Sequence, residues 1–463
     1  MITALKPYPA MKDSRVPWLG QVPEHWKPLP GRACFTEKKV PNAGLAEATV
    51  LSLSYGRIVV KPADRLHGLV PASFETYQIV DPGDIIVRPT DLQNDWNSLR
   101  FGLSGDRGII TSAYMCLRTT SRLTREYGHL LLHAYDLMKV FYGLGSGLRQ
   151  NLDWRDFRYL PCLAPPLPEQ AAIVRFLDYY DRRIRRYIRA KQKLTKLLEE
   201  QKQAIIHSAV TGQIDVRTGK PYPRYKPSGV EWLGDIPEHW ADVHLRYLVR
   251  CLDGQRVPLN AVERGAMQGE YPYWGANRVI DHIDRWLFDE PLVLLGEDGA
   301  PFSEPGRDVA FAVSGRIWVN NHTHVLRCGK HVTPRFLAHA LNSVDYTGFI
   351  GGSTRDKLTQ QDMGAIPIQH PPLPEQQAIV QCLDQQTTSL ATAIERAKSQ
   401  IVLLREYRTR LIADVVTGKL DVREAAANLP GEPEDDEPET DIIEETEADE
   451  ESALVEEENN ADD

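Results

Sequence analysis

The sequence predicts an α+β protein with two tandem mixed α/β domains, each followed by a long helix. Three observations lead to this fold class. The second half of the chain repeats the first, each copy begins with short apolar runs of strand length, and each copy ends in a heptad pattern. Because two equally long heptad helices in one chain can pair with each other, we expect an antiparallel coiled coil with pseudo-twofold symmetry.

The internal repeat is carried by three phrases. "PWLGQVPEHW" at Pro17–Trp26 matches "EWLGDIPEHW" at Glu231–Trp240, "PPLPEQAAIVRFLD" at Pro165–Asp178 matches "PPLPEQQAIVQCLD" at Pro371–Asp384, and "VTGQIDVR" at Val210–Arg217 matches "VTGKLDVR" at Val416–Arg423. The first pair is either a ligand site used twice or the beginning of a duplicated unit. Since buried tryptophans mostly pack, the phrase favours a packed N-terminal strap.

Apolar runs of strand length fill the first part of each copy. Examples are "GDIIVRP", "GIITSAYMCLR", "PLVLLGEDG", "DVAFAV" and "GRIWVNNHTHVLR", all bounded by Gly, Pro or Asp. The organisation expected from the repeat is a first domain over 1–165, a helix over 166–217, a second domain over 218–371, a helix over 372–423 and a tail over 424–463.

Heptad positions define the helix surfaces that we expect to pair. In the first helix they are Leu177, Tyr180, Ile184, Tyr187, Lys191, Leu194, Leu198, Gln201 and Ile205, and in the second they are Leu390, Ile394, Ala397, Ile401, Leu404, Arg408, Leu411 and Val415. Pro168 and Pro374 suit a first helical turn, and Gly212 and Gly418 suit a helix end.

Charge is distributed unevenly along the chain. The net charge is −10, but residues 424–463 contain 19 Asp and Glu and no Lys or Arg, so residues 1–423 carry −10 + 19 = +9. A segment of such composition is expected to be disordered. The basic remainder permits a polyanionic partner.

Cysteine usage and hydropathy indicate the compartment. The six cysteines are far apart, at positions 34, 116, 162, 251, 328 and 382, and no pair has the spacing of a zinc or redox motif. The sequence has no apolar signal core and no apolar run long enough for a membrane span. We therefore expect a cytoplasmic protein without a membrane partner.

Motifs for catalysis are missing. The sequence lacks a phosphate loop with Gly-Lys-Ser/Thr, the Asn/Asp-Pro-Pro-Tyr phrase of amino-methyltransferases and a Gly-x-Ser-x-Gly elbow. His322 and His324 could be a metal pair but lack a third ligand at suitable spacing. Glu297 and Asp298 form either a carboxylate pair for acid–base chemistry or a polar turn, and we favour the turn. We predict no catalytic and no metal-binding residue.

The combination of phrases resembles the specificity subunit of type I DNA restriction-modification systems. The resemblance covers nearly the whole chain except the acidic tail. It is strongest at "GGSTRDKLTQQDMGAIPIQHPPLPEQQAIVQCLD", Gly351–Asp384, and "GSGLRQNLDWRDFRYLPCLAPPLPEQ" in the first copy departs from it by Leu148 in place of Thr354. "PYWGANRVIDHIDRWLFDEPLVLLGEDGAPF", "LSLSYGRIVVKP" and "GDIIVRPTDLQNDWNSLR" also resemble recognition domains of this family.

The resemblance implies a non-catalytic DNA-binding subunit. Each variable domain would be a target-recognition domain for one half of a bipartite sequence in double-stranded DNA, and the helices would set the spacer. Two methyltransferase subunits would dock on the chain, and restriction subunits would join through them. The chain itself would need no cofactor, whereas S-adenosylmethionine, ATP and Mg would serve the partner subunits.

Residue chemistry selects the candidate DNA contacts within these domains, because Arg and Lys bind guanine edges or phosphates while Asn and Gln bind adenine. The candidates in the first domain are Tyr55, Arg57, Lys61, Arg88, Asp91, Gln93, Asn94 and Arg107. Those in the second are Tyr273, Trp274, Asn277, Arg278, Asn320, Asn321 and His322. Arg149, Ser353, Thr354, Arg355 and Lys357 are candidates for backbone contacts.

Two alternatives stay open. The basic run "DRRIRRYIRAKQK" at Asp181–Lys193 is either a solvated helix face or a contact for phosphates or an acidic partner. The chain as a whole could also be a protein-binding scaffold whose variable domains bind protein rather than DNA. A fused enzyme with its own methylation activity is disfavoured by the missing motif.

Overall fold

The computed structural model describes residues 5–61, 73–96, 98–144, 151–304, 306–351 and 356–430. Two compact units divide these residues. Unit 1 contains the described residues up to Ala190 together with those from Gln400 onward, and unit 2 contains Lys191–Ser399. The candidates Arg149, Ser353, Thr354 and Arg355 lie outside the described residues.

Unit 1 is built around one antiparallel sheet with an α-helix against it. Its elements in chain order are β1 (Met11–Asp13), β2 (Gln21–Pro23), β3 (Lys27–Pro30), α1 (Gly31–Cys34), β4 (Phe35–Lys38), β5 (Leu51–Ser54), β6 (Arg57–Val60), β7 (Gln78–Val80), β8 (Ile85–Val87), β9 (Phe101–Leu103), β10 (Gly108–Ile110), β11 (Met115–Thr119), α2 (Arg125–Leu137), α3 (Trp154–Phe157), β12 (Pro161–Ala164) and the first part of α4 (Leu167–Val210). The sheet order is β4-β11-β8-β9. Its core contains Phe35, Phe101 and Tyr127, all fully buried.

Unit 2 contains a matching sheet and one more. Its elements are β13 (Tyr225–Pro227), β14 (Asp235–Pro237), β15 (Ala241–His244), α5 (Leu245–Leu248), β16 (Val249–Cys251), α6 (Ala261–Ala266), β17 (Gln268–Trp274), β18 (Val279–Ile283), β19 (Phe288–Asp289), β20 (Leu292–Gly296), β21 (Ala310–Val313), β22 (Arg316–Val319), β23 (Thr323–Cys328), α7 (Pro334–Leu341), β24 (Ile350–Gly351), β25 (Lys357–Leu358), α8 (Gln360–Ala365), β26 (Pro367–His370) and the first part of α9 (Leu373–Val416). The last helix, α10 (Arg423–Ala427), belongs to unit 1.

The strand orders confirm the repeat. The sheet β16-β23-β20-β21 of unit 2 reproduces β4-β11-β8-β9 of unit 1, and the pairs β13-β14 and β15-β26 reproduce β1-β2 and β12-β3. The copies differ where the sequences differ: unit 2 adds the sheet β18-β17-β22-β19, whereas unit 1 has the hairpin β5-β6 and the pair β10-β7. The predicted α+β fold class is therefore confirmed.

Both long helices contain 44 residues, which corresponds to about 66 Å. Pro168 and Pro374 lie in the first turns as predicted. The helices end before Gly212 and Gly418, whose φ angles are +77° and +76°. A Cβ at Gly212 would lie 2.5 Å from a ring carbon of Pro237, and one at Gly418 would lie 2.4 Å from a ring carbon of Pro23. Only glycine satisfies both the backbone angle and the close approach.

Each unit pairs the N-terminal half of one long helix with the C-terminal half of the other. In unit 1, Ile184 and Ile188 of α4 share a core with Ile401 and Leu411 of α9. Asp181 forms an ion pair there with Arg408. In unit 2, Glu199 of α4 and Lys398 of α9 are 2.9 Å apart. Since the residue number falls along α9 as it rises along α4, the pairing is antiparallel, as the heptads predict.

The predicted surface of α9 is right, whereas that of α4 is right at Leu177 and Ile184 but displaced by one residue at Tyr187 and Leu194. Ile394, Ala397, Ile401, Leu411 and Val415 of α9 are buried. In α4, by contrast, Tyr187 is 55% exposed and Leu194 is 42% exposed, while their neighbours Ile188 and Thr195 are buried. Ile188 lies four residues after Ile184 and therefore on the same side of the helix, which turns Tyr187 outward.

No helix in the described parts of the chain is both long and apolar enough to cross a membrane.

Candidate nucleic-acid interface

The twice-repeated Trp-Leu-Gly and Pro-Glu-His-Trp phrase forms a strap, here the residues 17–26 and 231–240, that packs on the start of a long helix. Trp26 and Trp240 are fully buried. In unit 1 the buried carboxylate of Glu169 accepts hydrogen bonds from the Tyr8 hydroxyl at 2.5 Å and from the Trp26 indole at 3.1 Å, and it also contacts the His25 ring at 2.8 Å. Burial and the Glu169 carboxylate raise the pKa of Tyr8. These contacts identify the strap as a packing element.

Unit 2 repeats this arrangement with one exchange of partner. The carboxylate of Glu375 accepts from the Tyr222 hydroxyl at 2.5 Å and contacts the His239 ring at 2.9 Å. Its third partner is Arg217, at 3.3 Å, whereas the indole nitrogen of Trp240 has no partner. The residues that follow α4 thus complete the strap of the second copy.

In unit 1 the residues that follow α9 make the corresponding contacts. Arg423 lies 5.1 Å from the ring centre of Tyr8, and the Asp421 backbone N–H donates to the Lys6 carbonyl at 2.8 Å. Tyr8 and Tyr222 are not among the residues predicted from the sequence. The signal for them is the phrase "KPYP", which occurs at 6–9 and again at 220–223, 214 residues apart like the two copies of the strap.

In the first domain, two neighbouring segments carry most of the predicted DNA contacts. Tyr55 and Arg57 lie at the turn of the β5-β6 hairpin, and Lys61 follows β6. Arg88, Asp91, Gln93 and Asn94 lie in the loop between β8 and β9, called here the 88–99 loop. The hairpin turn packs on the end of this loop, because a Cβ at Gly56 would be 3.1 Å from the Leu99 Cβ.

Arg107 stands apart from this group. Its guanidinium pairs with Asp81 at 2.6 Å and with Glu47 at 3.4 Å, and Asp81 also binds Lys38 and Arg118. The positive charge that selected Arg107 is therefore largely neutralised by carboxylates of its own domain.

In the second domain, the structure brings the turns that carry the candidates together. The Asn320 N–H donates to the Trp274 carbonyl at 3.0 Å, the Glu297 N–H donates to the His322 carbonyl at 2.9 Å, and the Asp298 carboxylate lies 3.6 Å from His322. Asn277, Arg278 and Asn321 belong to the same turns, and Lys357 lies 3.6 Å from Glu297.

Tyr273 differs from the other candidates of the second domain in its burial. Its side chain is 0% exposed, and its hydroxyl is bound to the backbone of Leu259. The sequence suggests a surface position for Tyr273 because the residue lies next to an exposed turn. Successive side chains of a strand point to opposite faces, however, and that of Tyr273 points inward.

A buried charged cluster lies under these turns. Asp253, Glu297 and His324 each have a possible ligand atom within 4.8 Å of the others, a grouping that a metal ion can use. The lone pairs are already engaged: Arg256 is 2.6 Å from Glu297, and the two ring nitrogens of His324 lie 2.6 Å from Asp253 and 2.8 Å from the Leu358 carbonyl. Both ring nitrogens of His324 thus lie within hydrogen-bond distance of groups of its own domain.

The Asp253 carboxylate is the anion at the centre of this cluster. Burial raises its pKa, but the hydrogen bonds from His324 and from the Val325 N–H outweigh burial and bring the pKa to about 2. The sequence predicts Glu297 in a polar turn, and its carboxylate is paired there with Arg256. The ion pairs and hydrogen bonds of the cluster therefore connect residues in or next to β20, β23 and β25.

The basic run on α4 is partly neutralised within the helix. Arg182 pairs with Asp178, Arg185 pairs with Asp181 at 2.7 Å, and Arg183 donates to the Tyr179 hydroxyl at 2.8 Å.

The architecture defines a class of protein with two similar sheet domains, each followed by a long helix. A chain from a structure described as the basis of complex assembly and conformational transition of the type I R-M system has this fold, with a TM-score of 0.62 and 16% identity over 86% of this chain and 99% of that chain. The HsdS subunit from Thermoanaerobacter tengcongensis aligns over 86% and 98% of the two chains, at 16% identity and a TM-score of 0.45.

The sequence comparisons find similar proteins. Residues 237–403 match the model described as type I restriction modification DNA specificity domain. A putative type I restriction enzyme specificity subunit from Haemophilus influenzae is 34% identical over 30% of this chain and 34% of its own length. The putative MjaX specificity subunit from Methanocaldococcus jannaschii is 22% identical over 59% of this chain and 63% of its own length. The chain spans less than two thirds of both curated relatives. These comparisons agree with the resemblance to type I restriction-modification specificity subunits that the sequence predicted.

Proposed function

We propose that this chain recognises a bipartite sequence in double-stranded DNA, with one half-site bound by each domain, and that it performs no catalysis itself. The observation that carries the proposal is the duplicated sheet with polar turns gathered on it, namely the 88–99 loop with the β5-β6 turn in the first copy and the turns around Glu297 and Asn320 in the second. The net charge of +9 on residues 1–423 favours a polyanionic partner.

We further propose that the helices set the spacer and dock two methyltransferase subunits, through which restriction subunits join. S-adenosylmethionine, ATP and Mg would act in those partners. Large apolar side chains on the helix surfaces in unit 1 support protein docking, because water-exposed apolar groups on a helix are usually covered by a partner when they cluster. They are Tyr187, Val402, Leu403 and Tyr407.

Exchange of the second domain tests modular recognition. We expect replacement of residues 218–371 by the matching segment of a relative to change one half-site and leave the other unchanged, because each domain has its own sheet and core. The measurement is a map of methylated adenines in cells that also express the methyltransferase subunits. A change in both halves would contradict modular recognition.

The salt dependence of binding separates DNA recognition from the protein-scaffold alternative. A DNA-binding chain loses affinity for duplex DNA steeply as salt rises, roughly a thousandfold between 50 and 200 mM for about six phosphate contacts. A scaffold whose domains bind protein would show no binding of duplex DNA at low salt.

Removal of the acidic tail tests its competition with DNA. The truncation should begin after Pro430, because Ala426 of α10 is buried and the Leu429 carbonyl accepts a hydrogen bond from Arg175. It removes 19 − 1 = 18 acidic residues, since Glu424 stays. We expect binding to random duplex DNA to tighten about tenfold at 50 mM salt and to be unchanged at high salt, where screening removes the competition.

The matched control for the truncation is a tail of equal length in which Asp and Glu are replaced by Asn and Gln. It should bind like the truncated chain if charge is the cause. Equal affinity of the full and truncated chains at every salt concentration would leave the tail a role in solubility only.

A further inference from the structure

A buried arginine forms hydrogen bonds with backbone carbonyls of the 88–99 loop. The Arg100 side chain is 0% exposed, and its guanidinium donates to the backbone carbonyls of Thr90 at 2.6 Å, Asp91 at 3.2 Å and Asp95 at 2.5 Å. Its Nε donates to the Tyr142 hydroxyl at 3.2 Å. Burial of a guanidinium is costly unless its donors are satisfied, and here they are satisfied mainly by the backbone of one surface loop. The backbone between Thr90 and Asp95 is therefore held by the domain itself.

The described part of the loop presents a large aromatic side chain to solvent. Trp96 is 52% exposed, and its ring stacks on Tyr142 with a centroid distance of 4.5 Å and an interplanar angle of 30°. Its indole N–H donates to the Gln93 carbonyl at 3.1 Å, and its own carbonyl accepts from Lys139. One face of the ring is thus covered by the protein, and both backbone and side chain are held in place.

The chemistry around Trp96 matches a nucleic acid. Gln93 and Asn94 are exposed amides on the same loop, and Lys139 is an exposed cation beside it. The Asp95 carboxylate is paired with Arg88 at 3.2 Å, so its negative charge is compensated and should not repel a phosphate backbone. Aromatic faces, amides and cations together are what stacking and groove contacts with DNA require.

The second copy also has an arginine that binds backbone carbonyls beside the candidate turns, but at a different place. Arg256, which follows β16, donates to the carbonyls of Thr323 at 2.7 Å and Asn321 at 3.2 Å, at the turn before β23, and to the Glu297 carboxylate at 2.6 Å, just after β20.

We infer that Trp96 contacts duplex DNA at the half-site bound by the first domain, with its open ring face packed on a thymine methyl group or a deoxyribose in a groove, and that Arg100 is the positioning residue for this contact. This inference rests on the proposed function and adds a specificity-determining residue to the candidates selected from sequence.

The first test uses a pool of duplex DNA with randomised sequence, from which the full-length chain selects bound fragments. We expect the wild-type chain to enrich a bipartite motif. Trp96→Ala should bind a wild-type-selected duplex about 5- to 150-fold more weakly, because truncation of a tryptophan at an interface costs about 1–3 kcal/mol. It should also lose preference in a single half, the half that replacement of residues 218–371 leaves intact.

Two variants serve as controls for Trp96→Ala. Trp96→Phe keeps a ring face and should stay within about threefold of wild type. Trp286→Ala removes an exposed tryptophan of the second domain, whose ring lies 4.1 Å from the Arg316 guanidinium, and should leave the Trp96-dependent half unchanged.

A direct contact is tested without any variant by photocrosslinking the wild-type chain to the selected duplex with 5-iodouracil in each half. Recovery of the peptide that contains Trp96 is the expected result. A bipartite wild-type motif that Trp96→Ala retains at full affinity, or crosslinks confined to other peptides of the first domain, would overturn the inference and leave the proposed function standing. If the wild-type chain enriches no motif, both fail.

Discussion

Adding one heptad to each long helix is expected to widen the unrecognised gap between the two half-sites by up to about three base pairs. The insertions follow Glu200 in α4 and precede Ala397 in α9, beside the ion pair between Glu199 and Lys398. A heptad lengthens a helix by about 10 Å and keeps its buried surface in phase. Duplex DNA rises about 3.4 Å per base pair, which sets the upper limit.

Both helices must be lengthened together because they pair antiparallel within each unit. A heptad in α4 alone, after Glu200, leaves seven residues without a counterpart and should widen the gap less. Both half-sites should stay the same in either variant, since no recognition domain is changed.

Methylated sites mapped in cells that also express the methyltransferase subunits measure the gap. The matched control is an insertion of five residues in each helix, which rotates the buried surface out of phase and should abolish methylation. Methylation of the original spacing at full efficiency by the heptad variant would show that the helices do not set the spacer.

The repeat and the helices could be predicted from sequence because both are periodic signals. A 44-residue helix with Pro in its first turn and Gly beyond its end is marked at both ends and along its length. Where two adjacent positions are both large and apolar, as at Tyr187–Ile188, the pattern does not decide which of them is buried. The pairing surface of α4 was misplaced by one residue for that reason.

The sequence selects segments for the candidate DNA contacts, whose contact with DNA stays a prediction, and it does not give the burial or the ion pairs of each side chain. Residue chemistry selects Arg107 and Tyr273, yet Arg107 is paired with carboxylates and Tyr273 is buried. Conversely, Arg100 was overlooked because an arginine at a strand start is normally exposed. Its partners are backbone carbonyls, and carbonyl positions depend on the folded path of the chain rather than on residue type.

The second large effect is expected from Glu169→Ala, which should unfold unit 1 locally while unit 2 stays intact. Glu169 accepts hydrogen bonds from Tyr8 and Trp26 and contacts His25, so its removal leaves buried donors unsatisfied. Breaking a buried charged contact of this kind costs about 3–5 kcal/mol. Because these partners all lie in unit 1, the cost falls on that unit.

Glu375→Ala is the matched variant in the second copy. Its partners Tyr222, His239 and Arg217 all belong to unit 2, so the same cost should fall there instead. Glu24→Ala, at an exposed position of the first strap, is the surface control and should change neither unit.

Amide hydrogen exchange distinguishes the two units through one helix in each, α2 for unit 1 and α7 for unit 2. For Glu169→Ala we expect exchange in α2 to accelerate at least a hundredfold, the equivalent of about 3 kcal/mol, with α7 unchanged. Glu375→Ala should give the opposite pattern. Equal acceleration of both helices by either variant would mean that the two units unfold as one, and no acceleration by either would mean that the straps do not hold the domains on their helices.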